Sequence, residues 1–122
     1  MITRILGFAF DCKNANELAD FYLKLTGWQK EIASDEWAAL RIPQGSLLVF
    51  QTVANYQAPV WPWQDDKQQQ MAHIDFLVED LEAAVEHAIN CGAIKARVQY
   101  YETSTVLFDP SGHPFCLSTA DQ

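Results

Sequence analysis

Asp109-Pro110-Ser111-Gly112-His113-Pro114-Phe115-Cys116-Leu117-Ser118-Thr119 lines up without a gap on Ile42-Pro43-Gln44-Gly45-Ser46-Leu47-Leu48-Val49-Phe50-Gln51-Thr52. Residue 42 falls on residue 109, a constant offset of 67, and both copies read Pro-x-Gly followed by an apolar run. The segments upstream also match. Gly7-Phe8-Ala9-Phe10, then a helix-like run ending at Gly27, parallels His73-Ile74-Asp75-Phe76 and a run ending at Gly92. A half that repeats at this length is one supersecondary unit, which buries its apolar face by packing beside its twin. The functional question becomes what occupies a groove between two related sheets.

Each unit reads as β-α-β-β-β. In the first, Ile5 to Cys12 is a strand, and Asn14 or Asn16 caps a helix carrying Leu18, Phe21, Tyr22 and Leu25 before Gly27 stops it. Strands follow at Trp28 to Ile32, Glu36 to Ile42 and Ser46 to Val53, with turns at Ala33-Ser34-Asp35 and Pro43-Gln44-Gly45. The second unit has a strand from Met71 to Val78, then a helix capped by Asp80 with Leu81, Val85 and Ile89 on one stripe. Strands at Ile94 to Tyr100, Ser104 to Phe108 and Pro114 to Ser118 complete it. The expected fold class is therefore α+β: two tandem modules with mixed sheets curving around a cleft. They form a single domain over 1–122, with modules 1–53 and 71–122 and a Gln- and Pro-rich linker, 54–70.

The totals bound the function. A chain of 122 residues, 49% apolar, can bury its own core. Its formal net charge of −8 argues against nucleic acid, since binding phosphates needs a basic stripe. No segment has membrane-spanning length, and Asp11 cuts the apolar stretch from Ile5 too short for a signal peptide. Cys12, Cys91 and Cys116 form no Cys-x-x-Cys pair, and three reduced thiols point to the cytoplasm.

Period-two alternation sorts the faces of the strands. Ile74, Phe76 and Val78 pack under the helix, so His73, Asp75 and Leu77 point the other way, as do Gly7, Ala9 and Asp11. The same rule sends Trp37, Ala39, Arg41, Val49, Gln51, Cys116 and Ser118 to the non-helical face. A face holding Asp11, Trp37, Arg41, Gln51, His73, Asp75 and Cys116 is too polar for a dry core and suits a ligand cavity.

The tandem pattern, with Asp-Pro-x-Gly before the last strand, resembles the vicinal-oxygen-chelate superfamily of glyoxalases, bleomycin-resistance proteins and dioxygenases. Four stretches carry the resemblance, which covers nearly the whole chain. They are Phe10-Asp11-Cys12 running into Leu18-Ala19-Asp20-Phe21-Tyr22, Gln69-Gln70-Met71-Ala72-His73-Ile74-Asp75-Phe76, Val78-Glu79-Asp80-Leu81-Glu82-Ala83-Ala84-Val85, and Asp109-Pro110-Ser111-Gly112-His113-Pro114-Phe115-Cys116-Leu117. The branch it looks most like is the glyoxalase-like one, with a Trp-Pro element before Gln-Gln-x-x-His. The resemblance implies a homodimer. It also implies four metal-ligand positions, which here fall on Gly7, Val49, His73 and Cys116. Gly7 and Val49 offer no donor atom, so the expected metal and cofactor content is none.

The expected function is metal-independent binding of a small organic molecule, lined by the seven residues named above. The acidic chain and aromatic walls favour a flat cation. The rival is a metal-dependent lyase, isomerase or dioxygenase with a non-standard ligand set around His73, its third ligand drawn from His113 or Asp11. Metal-free acid–base work by His73 with Asp75, the only catalytic candidates, is a further alternative. So is a regulatory subunit whose cleft is filled by its own side chains. Arg41 either clamps a ligand carboxylate or pairs with Asp11 or Glu36. Trp28 is read as core, His87 and His113 as solvated. Trp61-Pro62-Trp63 is a lid, an interface or, most simply, a staple between modules.

Overall fold

The computed structural model describes residues 1–119, so the expected end of the second module at 122 lies outside the described residues. The chain divides into two units, Met1–Tyr56 and Gln57–Gln122. The stretch 57–70, read from sequence as linker, belongs to the second.

The first unit runs β1 (Gly7–Cys12), α1 (Ala15–Thr26), β2 (Gln29–Ala33), β3 (Trp37–Arg41) and β4 (Leu47–Thr52). Asn14 is the cap of α1, its Oδ1 accepting the Glu17 N–H at 3.0 Å, and Gly27 ends the helix at φ 74°, where a side chain would be strained. Asn16, the other capping candidate, instead accepts from Lys30 Nζ at 2.6 Å. The strands form one sheet in the order β1-β4-β3-β2, parallel between β1 and β4 and antiparallel elsewhere. Leu18, Phe21 and Tyr22 of α1 are buried with Ala38, Leu40, Leu48 and Phe50 of the sheet. Tyr22 stacks on Phe50 with centroids 5.3 Å apart.

The second unit repeats the plan with β5 (Ile74–Leu77), α2 (Leu81–Cys91), β6 (Ile94–Lys95), β7 (Ser104–Phe108) and β8 (Pro114–Ser118), in the order β5-β8-β7-β6. The 67-residue offset seen in the sequence carries β3 onto β7 residue for residue. Asp80 Oδ1 caps α2 by accepting the Ala83 N–H at 3.1 Å. Ala88, Leu107, Phe115 and Leu117 are buried, and Phe76 meets Phe115 edge-on at 6.0 Å.

β1, β3 and β4 each lose two residues at their ends relative to the sequence reading, and β5 and β6 are shortened far more. β5 begins at Ile74 because Met71 sits at φ 61°, a left-handed backbone that no strand continues through. β6 stops at Lys95 because a side chain replaces the ladder. The Gln99 amide donates to the carbonyls of Ala96 and Val106, and its Oε1 accepts the Val106 N–H, each at 2.9 Å. That leaves Tyr100 and Tyr101 outside any strand. No helix among the described residues is long and apolar enough to cross a membrane.

Candidate functional site

Register builds the centre of the site. β5 runs parallel to β8 with Asp75 opposite Cys116, and β7 runs antiparallel on its far side with Val106 opposite Cys116. Residues paired across a sheet share a face, so Asp75, Cys116 and Val106 form one row, and Leu77, Ser118 and Ser104 the next. His73 lies two residues before Asp75 and therefore on the same side. Its Nε2 is 3.1 Å from Asp75 Oδ1, and the donor atoms of His73, Asp75 and Cys116 all fall within 4.8 Å of one another. The Ser104 and Ser118 hydroxyls bond at 2.8 Å beside them.

Cys116 is held as a thiol. Burial pushes its pKa from the ordinary 9.0 up to about 11, helped by the hydrogen bond to Asp75 and that carboxylate's charge, against a smaller lowering by Ser104. Between pH 9.0 and about 11 the unfolded chain releases this proton before the folded one does, so stability falls with rising pH across that window. Cys116→Ser removes that part of the slope. Peptide-resolved iodoacetamide labelling provides the second check. Cys116 is expected to label slowly at neutral pH, gaining about tenfold per pH unit up to about pH 11, because only the thiolate reacts. Rapid labelling at pH 7 contradicts this environment.

A cavity of about 640 Å3 opens above the polar row, and every residue lining it belongs to the second unit. Trp61 and Tyr100 make one wall, meeting edge-to-face at 5.7 Å, with Tyr101, Phe76 and Leu77 completing the apolar surface. Trp61 thus packs against a residue of its own unit, while Trp63 is exposed. Sequence reasoning missed Tyr100 and Tyr101, because it continued β6 through Tyr100. The only signal was the Gln99 amide, whose ability to stand in for a strand residue is not visible without its partner.

The other expected site residues lie in the first unit. Asp11, Gln51 and Trp37 are aligned across β1, β4 and β3, with Gln51 Nε2 donating to Asp11 Oδ1 at 2.8 Å and Trp37 45% exposed. Arg41 is engaged by a partner not considered from sequence. It holds Glu31 with two hydrogen bonds, 3.0 and 3.1 Å, and donates to the Gly45 carbonyl. The hydrogen bond with Arg41 lowers the Glu31 pKa and raises that of Arg41. His113 is a correction: it is mostly buried, with Nδ1 2.9 Å from Asp109 Oδ2, and so is neither solvated nor the third member of a His73 cluster. That place is taken by Cys116. His87 is exposed on α2, 3.8 Å from Cys91 Sγ.

Of the four metal-ligand positions implied by the resemblance, His73 and Cys116 carry donors, and Asp75 adds a third. Gly7 is excluded sterically as well as chemically, since a Cβ there would lie 2.8 Å from the Leu47 carbonyl oxygen.

Comparison with known proteins places these observations. No curated protein sequence matches the chain. Among solved structures, it is similar to a glyoxalase/bleomycin resistance protein/dioxygenase family enzyme from Burkholderia phytofirmans PsJN, at 16% identity and TM-score 0.70, covering 94% of this chain and 97% of that one. It is also similar to the fosfomycin resistance protein FosX from Mesorhizobium loti, at 16% identity and TM-score 0.72, over 99% and 94%. A FosX variant from Listeria monocytogenes, complexed with Mn(II) and 1S,2S-dihydroxypropylphosphonic acid, matches at 13% identity and TM-score 0.70, over 99% and 93%. At such identities the likeness establishes the fold. The family follows from the sequence itself: residues 7–118 match the glyoxalase-like domain, and the chain belongs to that family.

Proposed function

We propose that the second unit's cavity binds a small organic molecule without a metal, using the His73–Asp75–Cys116 row as its polar floor. The observation that supports this is the cavity itself. Its volume of about 640 Å3 lies within the ordinary range for small-molecule sites, and it combines aromatic walls with a few convergent polar groups. The floor also works as a set of hydrogen-bonding groups. Cys116 keeps its proton, and Asp75 is its acceptor as well as the neighbour of His73. The protein acts as a homodimer in the cytoplasm, a reading supported by exposed Ile5, Leu6 and Phe8 and by three cysteines that form no disulfide.

Trp61 stands in the cavity wall, so its emission reports occupancy. Titrating the full chain with a panel of neutral, cationic and anionic aromatic compounds is expected to give saturable changes that vanish in Ser104→Phe, which fills the cavity from β7. A panel producing no saturable response in the wild-type chain overturns the proposal.

A second reading, a metal-dependent lyase, isomerase or dioxygenase, has one specific observation in its favour, the convergence of three donor atoms within 4.8 Å. The imidazole, carboxylate and thiolate of His73, Asp75 and Cys116 would hold a borderline-soft divalent ion and leave positions open, and the ion would supply Lewis acidity. Because the thiol must give up its proton, uptake is favoured by alkaline pH. Titration with Co(II) separates the readings: a cobalt–thiolate charge-transfer band that disappears in Cys116→Ser supports the metal centre, and its absence leaves the metal-free site.

A further inference from the structure

We infer that this cavity selects a flat organic cation, such as an aromatic amidinium or ammonium compound, over its neutral and anionic isosteres. The inference rests on the binding role proposed above and adds the chemical class of the ligand.

The fixed charge of the lining is one-sided: among the described residues Asp75 is its carboxylate, His73 beside it is its ionisable base, and no Lys or Arg lines the cavity to answer an anion. A carboxylate offers about four lone-pair sites. His73 and Cys116 are the neighbours that engage Asp75, which leaves it capacity for donors carried by a ligand. An amidinium presents two N–H groups in a planar fork that suits such an acceptor, and pairing with an ionised partner makes the stronger class of hydrogen bond.

The walls favour the same ligand. An edge-to-face pair such as Trp61 with Tyr100 covers one ring face and leaves others open to a guest. Tyr100 and Tyr101 are both exposed. A cation seated within about 6 Å of such a ring centroid is attracted by the ring's quadrupole, whereas an anion there is repelled. Asp75 on the floor and the rings on the wall therefore act in the same direction. The preference is a property of this cavity and not of the acidic chain as a whole, and substitution of Asp75 distinguishes the two.

Benzamidinium, benzamide and benzoate share shape and differ in charge, so calorimetric titration of the full chain with all three is the test. Benzamidinium is expected to bind about tenfold or more tightly than benzamide, with benzoate weakest, as a charge contact near the surface reinforced by cation–π attraction provides. Asp75→Asn, at an exposed position, is expected to reduce the ratio of benzamidinium to benzamide affinity, both measured on the same variant, to the smaller part that the rings supply. Benzamide or benzoate binding as tightly as benzamidinium overturns the inference, as does a preference that is undiminished in Asp75→Asn. If these three fail to bind while other members of the wider panel saturate the site, the ligand class is wrong and the binding role stands. Failure of the whole panel removes both.

Discussion

Phe50→Ala is expected to lower the unfolding free energy by about 3–5 kcal/mol, the range for removing a buried aromatic ring from a packed core. The ring of Phe50 is fully buried at the centre of β4. It lies 8° from parallel to Tyr22 at 5.3 Å and 6.5 Å from Phe10, so it joins α1 to two strands of the first unit. Truncation loses the transfer free energy of the ring and opens a cavity bounded by the sheet backbone, which cannot collapse inward. Phe50→Leu keeps most of the volume and is expected to cost about 1.5 kcal/mol or less. Urea unfolding followed by tryptophan fluorescence measures both. A loss below about 1 kcal/mol for the alanine variant would show that this ring is not enclosed as described.

Asp109→Ala comes next, at about 2–4 kcal/mol, for a different reason. Asp109 is a charged side chain only 4% exposed, and it organises the turn between β7 and β8. Its Oδ1 accepts the backbone N–H groups of Ser111 and His113 at 2.9 and 3.0 Å, and both carboxylate oxygens lie within 3.0 Å of His113 Nδ1. Hydrogen bonds to an ionised acceptor are worth about 1.5–3 kcal/mol each, and alanine strands the donors in a partly buried turn. Asp109→Asn preserves an acceptor oxygen and is expected to recover a large part of the loss. The turn also sets the β7–β8 register that places Val106 opposite Cys116. Asp109→Ala is therefore expected to shift the amide resonances of Asp75 and Cys116. Unchanged stability in Asp109→Ala would mean that water replaces the carboxylate at no cost.

Much of the architecture is legible because it depends on local rules. The helix caps at Asn14 and Asp80 and the stops at Gly27 and Gly92 follow from backbone donors that need an acceptor and from a left-handed or positive-φ end that favours glycine. Alternation along Ile74–Leu77 and Pro114–Ser118 puts Asp75, Leu77, Cys116 and Ser118 on one face, and the cavity is lined by those residues. The misreadings arise where a side chain substitutes for backbone or finds a remote partner. Gln99 ends β6 by bonding to Val106, Arg41 turns to Glu31 across a bulged strand pair, and His113 folds onto Asp109.

Composition, repeat and periodicity alone thus determined the two β-α-β-β-β units, their caps and the polar row that carries His73, Asp75 and Cys116, since these are set by residues within a few positions or a fixed two-residue period. Tertiary structure decided the rest: that the donor atoms of Cys116, His73 and Asp75 converge within 4.8 Å, that burial pushes the Cys116 thiol up, and that Trp61, Tyr100 and Tyr101 wall a cavity over them. Those outcomes depend on strand register and burial. Both are collective properties of contacts between residues far apart in the chain, which no local pattern encodes.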